Sequence, residues 1–222
     1  MKTYSKPKSL AKSYPAELVW AAATTAFRIN GGYNKTPVYS ESGELTAPTN
    51  RSLVEKFLAE PSLITEADRA TGLKCRQALG QDVTLRALKG SLSEFDQTTV
   101  QMYSLAEVNT SYQMAVIASM PKVYERLCSR ASLQDRLNDC VKDPVGLVGH
   151  KVELNVEIVS AFYSQRFFTW FLTAITASNQ AVFFSYRESL PIGWHYDIRG
   201  NVKGFNDKGT TQLNRVKLIN QE

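Results

Sequence analysis

Apolar residues recur at helical spacing from Pro15 to about Cys140, and at strand spacing afterwards. Leu18, Val19, Ala22, Ala26 and Phe27 follow Pro15 on one helix face, and Asn30-Gly31-Gly32 supplies a stop. Residues 31–50 are rich in Gly, Pro, Ser and Thr and predict a long surface loop. Asn50 is placed to cap a short helix carrying Leu53, Val54, Phe57 and Leu58, which Pro61 closes. Thr65, with Glu66 and Asp68 in the first turn, starts another helix running toward Gly80. There the acids suit the positive end of the helix dipole. Further helices are predicted over 82–89, 92–104, 111–119 and 121–140. No repeat period is visible, so this part reads as an irregular helical bundle.

At "KDPVGLVGHK" the period changes to two. Val152, Leu154, Val156 and Ile158 alternate with Lys151, Glu153, Asn155 and Glu157, the pattern of a half-buried strand. "RFFTWFLTAIT" predicts a second strand, and Ser178-Asn179 turns the chain into a third, "AVFFSYR". "ESLPIG" holds at most one turn before a fourth strand from Trp194 to about Lys203. In the fifth, "TTQLNRVKLI", Leu213 and Val216 are out of phase, which predicts a bulge near Asn214–Arg215. Five short strands with a longer connection between the third and fourth fit a small closed barrel of OB type, with an SH3-like barrel as the nearest rival.

The predicted class is therefore α+β: an N-terminal irregular helical bundle followed by a small five-stranded OB-like β-barrel. The expected divisions are a basic flexible tail over 1–14, a helical domain over 15–143 with its polar loop at 31–50, and the barrel over 146–219.

In the fourth strand Trp194, Tyr196, Ile198 and Val202 are expected in the core. His195, Arg199, Asn201 and Lys203 form the outward row, interrupted by Asp197. A solvated face and a phosphate-following face both fit that row. Phe167, Thr169, Phe171 and Thr173 fall on one face of the second strand, and Phe168, Trp170, Leu172 and Ala174 on the other. A small barrel needs one apolar face. The second either packs on the helical half or offers flat rings to unpaired bases.

Composition narrows the choice. Hydrophobic residues make up 43% of the 222 and charged residues 21%, ordinary values for a folded chain. The net charge is +5, and residues 1–36 account for all of it, with Lys2, Lys6, Lys8, Lys12, Arg28 and Lys35 against Glu17 alone. Such a start is either a solvated tail or an arm that touches phosphate.

Cys75, Cys128 and Cys140 lack C-x-x-C spacing, and no leader pattern precedes them, so a reducing cytoplasmic compartment is expected, the host's if the protein is viral. No apolar run reaches the length of a membrane span, and no membrane partner is expected. Nucleotide-cradling, zinc-protease and nucleophile-elbow motifs are missing. His150 and His195, the two histidines, have no cysteine or carboxylate cluster at ligand spacing. The expectation is a non-enzymatic protein with no catalytic residues, no metal and no cofactor.

"GW-Y-I-G-VK", a polar loop and "TQLNRVK" together carry a resemblance. Gly193, Gly200, Val202 and Lys203, then Thr211, Leu213, Arg215, Val216 and Lys217, resemble the C-terminal OB-type modules of phage-encoded single-stranded nucleic-acid-binding and replication proteins. The likeness covers residues 146–219. It implies a phage or mobile-element setting and contact with single-stranded nucleic acid, DNA favoured, in replication or recombination.

The candidate interface joins residues of the strands and loops that flank the usual OB groove: Tyr163, Arg166, Phe168, Trp170, Arg187, Arg199, Lys203, Phe205, Lys208, Arg215 and Lys217. Other replication proteins are candidate partners, and oligomerisation is left open. The competing expectation is a protein–protein or structural component of a phage or replisome assembly, its barrel packed on protein.

Overall fold

The computed structural model describes residues 9–90 and 92–219 and divides the chain into two compact units between Cys128 and Ser129. The architecture is α+β, with helices first and a closed barrel second. Among the described residues no helix is long and apolar enough to cross a membrane.

The first unit opens with strand β1 (Ser9–Pro15), which leads directly into helix α1 (Ala16–Ile29). The predicted flexible tail is thus corrected over its described part, because Ser9–Pro15 pairs antiparallel with β4 (Glu107–Thr110). Residues 1–8 lie outside the described residues. Within the polar stretch, β2 (Val38–Tyr39) and β3 (Leu45–Ala47) form a small hairpin.

Helix α2 (Asn50–Ala59) is capped by Thr49, whose hydroxyl accepts from the Ser52 N–H, and not by Asn50. Asn50 is instead buried. Its side chain accepts from Asn30 Nδ2 and the Asn34 N–H and donates to the Gly32 carbonyl, bracing the loop. A 3-10 turn (Pro61–Leu63) precedes α3 (Glu66–Leu88), one continuous helix where two were expected. The glycine expected to end it, Gly80, lies mid-helix, where a Cβ would meet the Tyr103 ring at 2.7 Å. Helix α4 (Glu94–Ser104) starts at a Ser93–Asp96 capping box. Helix α5 (Ser111–Asn138) continues through Pro121, merging two further expected helices.

The core of this unit is α1, whose Val19, Trp20, Ala22, Ala23 and Ala26 are fully buried. Its run of small residues lets α3 approach until a Cβ on Gly72 would stand 2.8 Å from the Ala21 nitrogen. Asp68 fastens the same pair of helices. It closes a capping box with Thr65 and receives two hydrogen bonds from the Arg28 guanidinium, at 2.9 and 2.7 Å.

The second unit includes the last turns of α5, so the division falls before the expected end of the helical domain at 143. Its strands are β5 (Lys151–Ser164), β6 (Thr169–Thr176), β7 (Ala181–Tyr186), β8 (His195–Phe205) and β9 (Thr211–Leu218). They close in the order β5-β6-β7-β9-β8 and back to β5. Every pairing is antiparallel except β7 with β9. This is an OB-like barrel.

Val156, Ile158, Leu172, Ala174, Val182, Phe184, Ile198, Val202 and Leu213 fill it. Leu190, in the helix-free link between β7 and β8, and Val145, before β5, join that core. The Val145 N–H donates to Thr211 Oγ1 at 2.9 Å, inside a fully buried site.

The predicted bulge in the last strand is present. Asn201 pairs with Asn214 and Arg199 with Lys217, so β9 carries one extra residue there, and Arg215 has φ of +51°. Trp194 corrects another expectation. Its backbone pairs with Ile158, yet its side chain is 63% exposed and outside the core.

Candidate nucleic-acid interface

Alternation along β5, β6 and β7 sends Val156, Leu172, Ala174, Val182 and Phe184 inward. The same alternation leaves Phe162, Phe171 and Phe183 on the outer face. Phe162 is the cross-strand partner of Phe171 and is 65% exposed. The Phe171 and Phe183 rings stack at 5.7 Å with 11° between planes, and Phe167 meets Phe171 edge-on at 6.0 Å. Arg166 lies over the Phe167 ring, 5.3 Å from its centroid. Four phenylalanines and one arginine therefore make a continuous outer patch.

The second apolar face is covered at one end and uncovered at the other. Toward the other end, Ile175 packs with Val159 and Ala181 under Leu133 and Leu137 from the last turns of α5. Arg136 holds that cover with hydrogen bonds of 3.1 and 2.7 Å to the Glu157 carboxylate, which lowers the Glu157 pKa. Beyond the cover Phe162 and Phe167 are exposed, and Phe171 and Phe183 are half-buried.

A groove of about 690 Å³ adjoins the patch, lined by Phe183, Thr173, Gln212, Lys142, Asn206 and Lys208 among others. The 206–210 loop on its rim is held in shape. Asn206 Oδ1 accepts from the N–H groups of Lys208 (3.0 Å) and Thr210 (2.8 Å). Gly209 has φ of +82°, and a Cβ there would stand 2.6 Å from the Lys142 carbonyl oxygen. Two lysines are thereby presented beside a flat ring.

The residues expected at the interface are distributed unevenly. Tyr163 lies within β5, not in the following loop, and tilts against Trp170 at 5.3 Å. Trp170 itself packs on the barrel core and is only half-exposed. Phe168 is 81% exposed in the turn before β6. Phe205 is the last residue of β8. Lys208 lines the groove just described, whereas Phe168, Arg187, Arg215 and Lys217 line a separate cleft.

On the β5–β8 surface Arg199 is bound to Glu153 at 2.6 Å, and Asn155 donates to Asp197 at 2.8 Å, so much of that row is charge-matched. Lys203 is exposed at its end. Phe162, Phe183 and Lys142 were not expected at the interface. The two aromatics carry a legible signal, apolar residues on both faces of neighbouring strands. Lys142 carries none, since only the fold brings it to the groove.

Among the described residues no three His, Cys, Asp or Glu side chains are grouped to hold a metal ion. No family model, curated protein or solved structure matches the chain.

Proposed function

We propose that the barrel binds single-stranded nucleic acid, single-stranded DNA in preference, without catalysing a reaction. One observation carries the reading: the stacked Phe171–Phe183 pair, flanked by Phe162 and Phe167, faces outward on the strands that OB-type barrels use for oligonucleotides. Base stacking on such rings is worth ~1–3 kcal/mol each, so two or three platforms provide useful affinity. Lys142, Lys208 and Arg166 stand beside the rings, where a phosphate backbone would run. The likeness to phage-encoded modules over residues 146–219 supports a role in phage or mobile-element replication or recombination.

Fluorescence polarisation of a labelled oligothymidylate, titrated at rising salt, tests this. Binding that weakens linearly on logarithmic axes is expected. Failure to bind at low salt would remove the reading. It would favour the alternative in which the same phenylalanines pack against a protein of a phage or replisome assembly.

A further inference from the structure

A second feature of the barrel lies beside the phenylalanine patch. Strands β7 and β9 run parallel from Val182/Thr211 to Phe184/Leu213 and then part. They part where the extra residue enters β9. Between the end of β7 and residues 215–218 a cleft of about 600 Å³ opens, and Phe168 stands at its edge. Arg187, Arg215 and Lys217 line it, all exposed, and no acid is among the described lining residues. Glu188 contacts Arg187 alongside at 2.9 Å, with both side chains largely in water, where such a pair holds weakly.

The backbone singles out the same place. Among the described residues three non-glycine positions have positive φ: Phe168 at +50°, Asn179 at +56° and Arg215 at +51°. Asparagine tolerates that region, whereas a large side chain there is an outlier, and such outliers concentrate at ligand sites. Both large ones line this cleft. One presents an open ring and the other a guanidinium.

We infer that the cleft is a nucleotide subsite that takes one further unit of the bound strand, its base against Phe168 and its phosphates among Arg187, Arg215 and Lys217. This rests on the proposed single-strand binding and extends it. The two surfaces are continuous, because Ser185, which lines the cleft, is the cross-strand partner of Phe171. Thr169, also in the lining, donates to the Tyr186 carbonyl at 2.9 Å and fixes the rim between them. A strand leaving the stacked pair therefore reaches the cations by way of Ser185.

The experiment compares the wild-type chain with an Arg187→Ala/Arg215→Gly double variant, using oligothymidylates of increasing length at several salt concentrations. Glycine accepts the left-handed backbone at 215, so the fold keeps its bulge while the charge is removed. The salt slope of the variant should fall by about 1.4, two phosphates at ~0.7 each, on long oligonucleotides. Its affinity for oligonucleotides too short to reach past the phenylalanines should match wild type. Should the double variant not fold, Lys217→Glu alone, at an exposed position, should reduce the slope in the same length-dependent way. Wild-type binding with an unchanged slope in the folded variant overturns the cleft and leaves the phenylalanine face standing. A wild-type protein that binds no oligonucleotide overturns both.

Discussion

Phe171 and Phe183 lie ring over ring on the outside of the barrel, one on β6 and the other on β7, with 5.7 Å between centroids. They face away from the core that Leu172 and Phe184 fill from the same strands. Their removal should affect binding far more than folding. Phe171→Ala/Phe183→Ala is expected to weaken oligonucleotide binding at least tenfold, since each lost platform costs ~1–3 kcal/mol. Thermal denaturation should show a much smaller change than a core Phe184→Ala, expected to cost ~3–5 kcal/mol.

Lys142 and Lys208 flank the groove beside Phe183. A Lys142→Ala/Lys208→Ala variant should lose about 1.4 from the salt slope on single strands, ~0.7 for each phosphate contact. Polarisation titrations at four or more salt concentrations measure it. An unchanged slope places the phosphates elsewhere.

Arg28 and Asp68 set an acid limit on the helical unit. The Arg28 hydrogen bonds hold the Asp68 pKa down, to about 2, against the opposing effect of burial. A carboxylate with a depressed folded pKa contributes stability above its unfolded value near 4, and loses it as pH falls toward 2. Chemical denaturation should therefore show a stability loss across that window. Asp68→Asn should be less stable at neutral pH by ~1–2 kcal/mol, a figure reduced for the solvent around Arg28, and should flatten the acid decline.

Gly72 and Ala21 mark the closest approach of α3 to α1. Alanine at 72 would bring its Cβ to 2.8–2.9 Å from the backbone of Trp20 and Ala21, atoms that cannot rotate aside. Gly72→Ala should destabilise the protein by ~1–3 kcal/mol despite its higher helix propensity. A melting temperature at or above wild type would show that the helices separate freely.

Thr211 and Val145 make the corresponding contact in the barrel. Thr211→Val keeps the shape but leaves the buried Val145 N–H without its acceptor, at a cost of ~1–3 kcal/mol. Hydrogen exchange at Val145 and the overall melting temperature report it together.

The barrel was legible because each strand repeats its pattern within a few residues. Inward Val156, Ile158, Ile198 and Val202 follow from period two, and the slip between Leu213 and Val216 marks a real bulge. The two apolar faces of β6, by contrast, left the inward position of Leu172 and Ala174 undecided until the barrel closed. Helix ends were less legible. Asn50 resembles a cap, but its burial and its bonds to Asn30, Asn34 and Gly32 depend on a loop folded back from twenty residues earlier. Gly80 resembles a stop, yet it lies mid-helix, where the close Tyr103 ring leaves no room for a side chain. Trp194 matched the alternation, but Leu190 enters the core from the preceding link and Trp194 stays outside.

The interface was legible as chemistry and not as arrangement. Aromatics and cations were evident in the chain. Closure of the barrel decides that Arg199 is spent on Glu153, and that Arg187, Arg215 and Lys217 share one cleft with Phe168.

Ultraviolet cross-linking of the full chain to an oligothymidylate, followed by mass spectrometry of the joined peptides, locates the bound bases most directly. The expected result is cross-links on peptides that contain Phe162, Phe167, Phe171 or Phe183, abolished by Phe171→Ala/Phe183→Ala. Cross-links confined to the helical unit, or a yield indifferent to that double substitution, would contradict it.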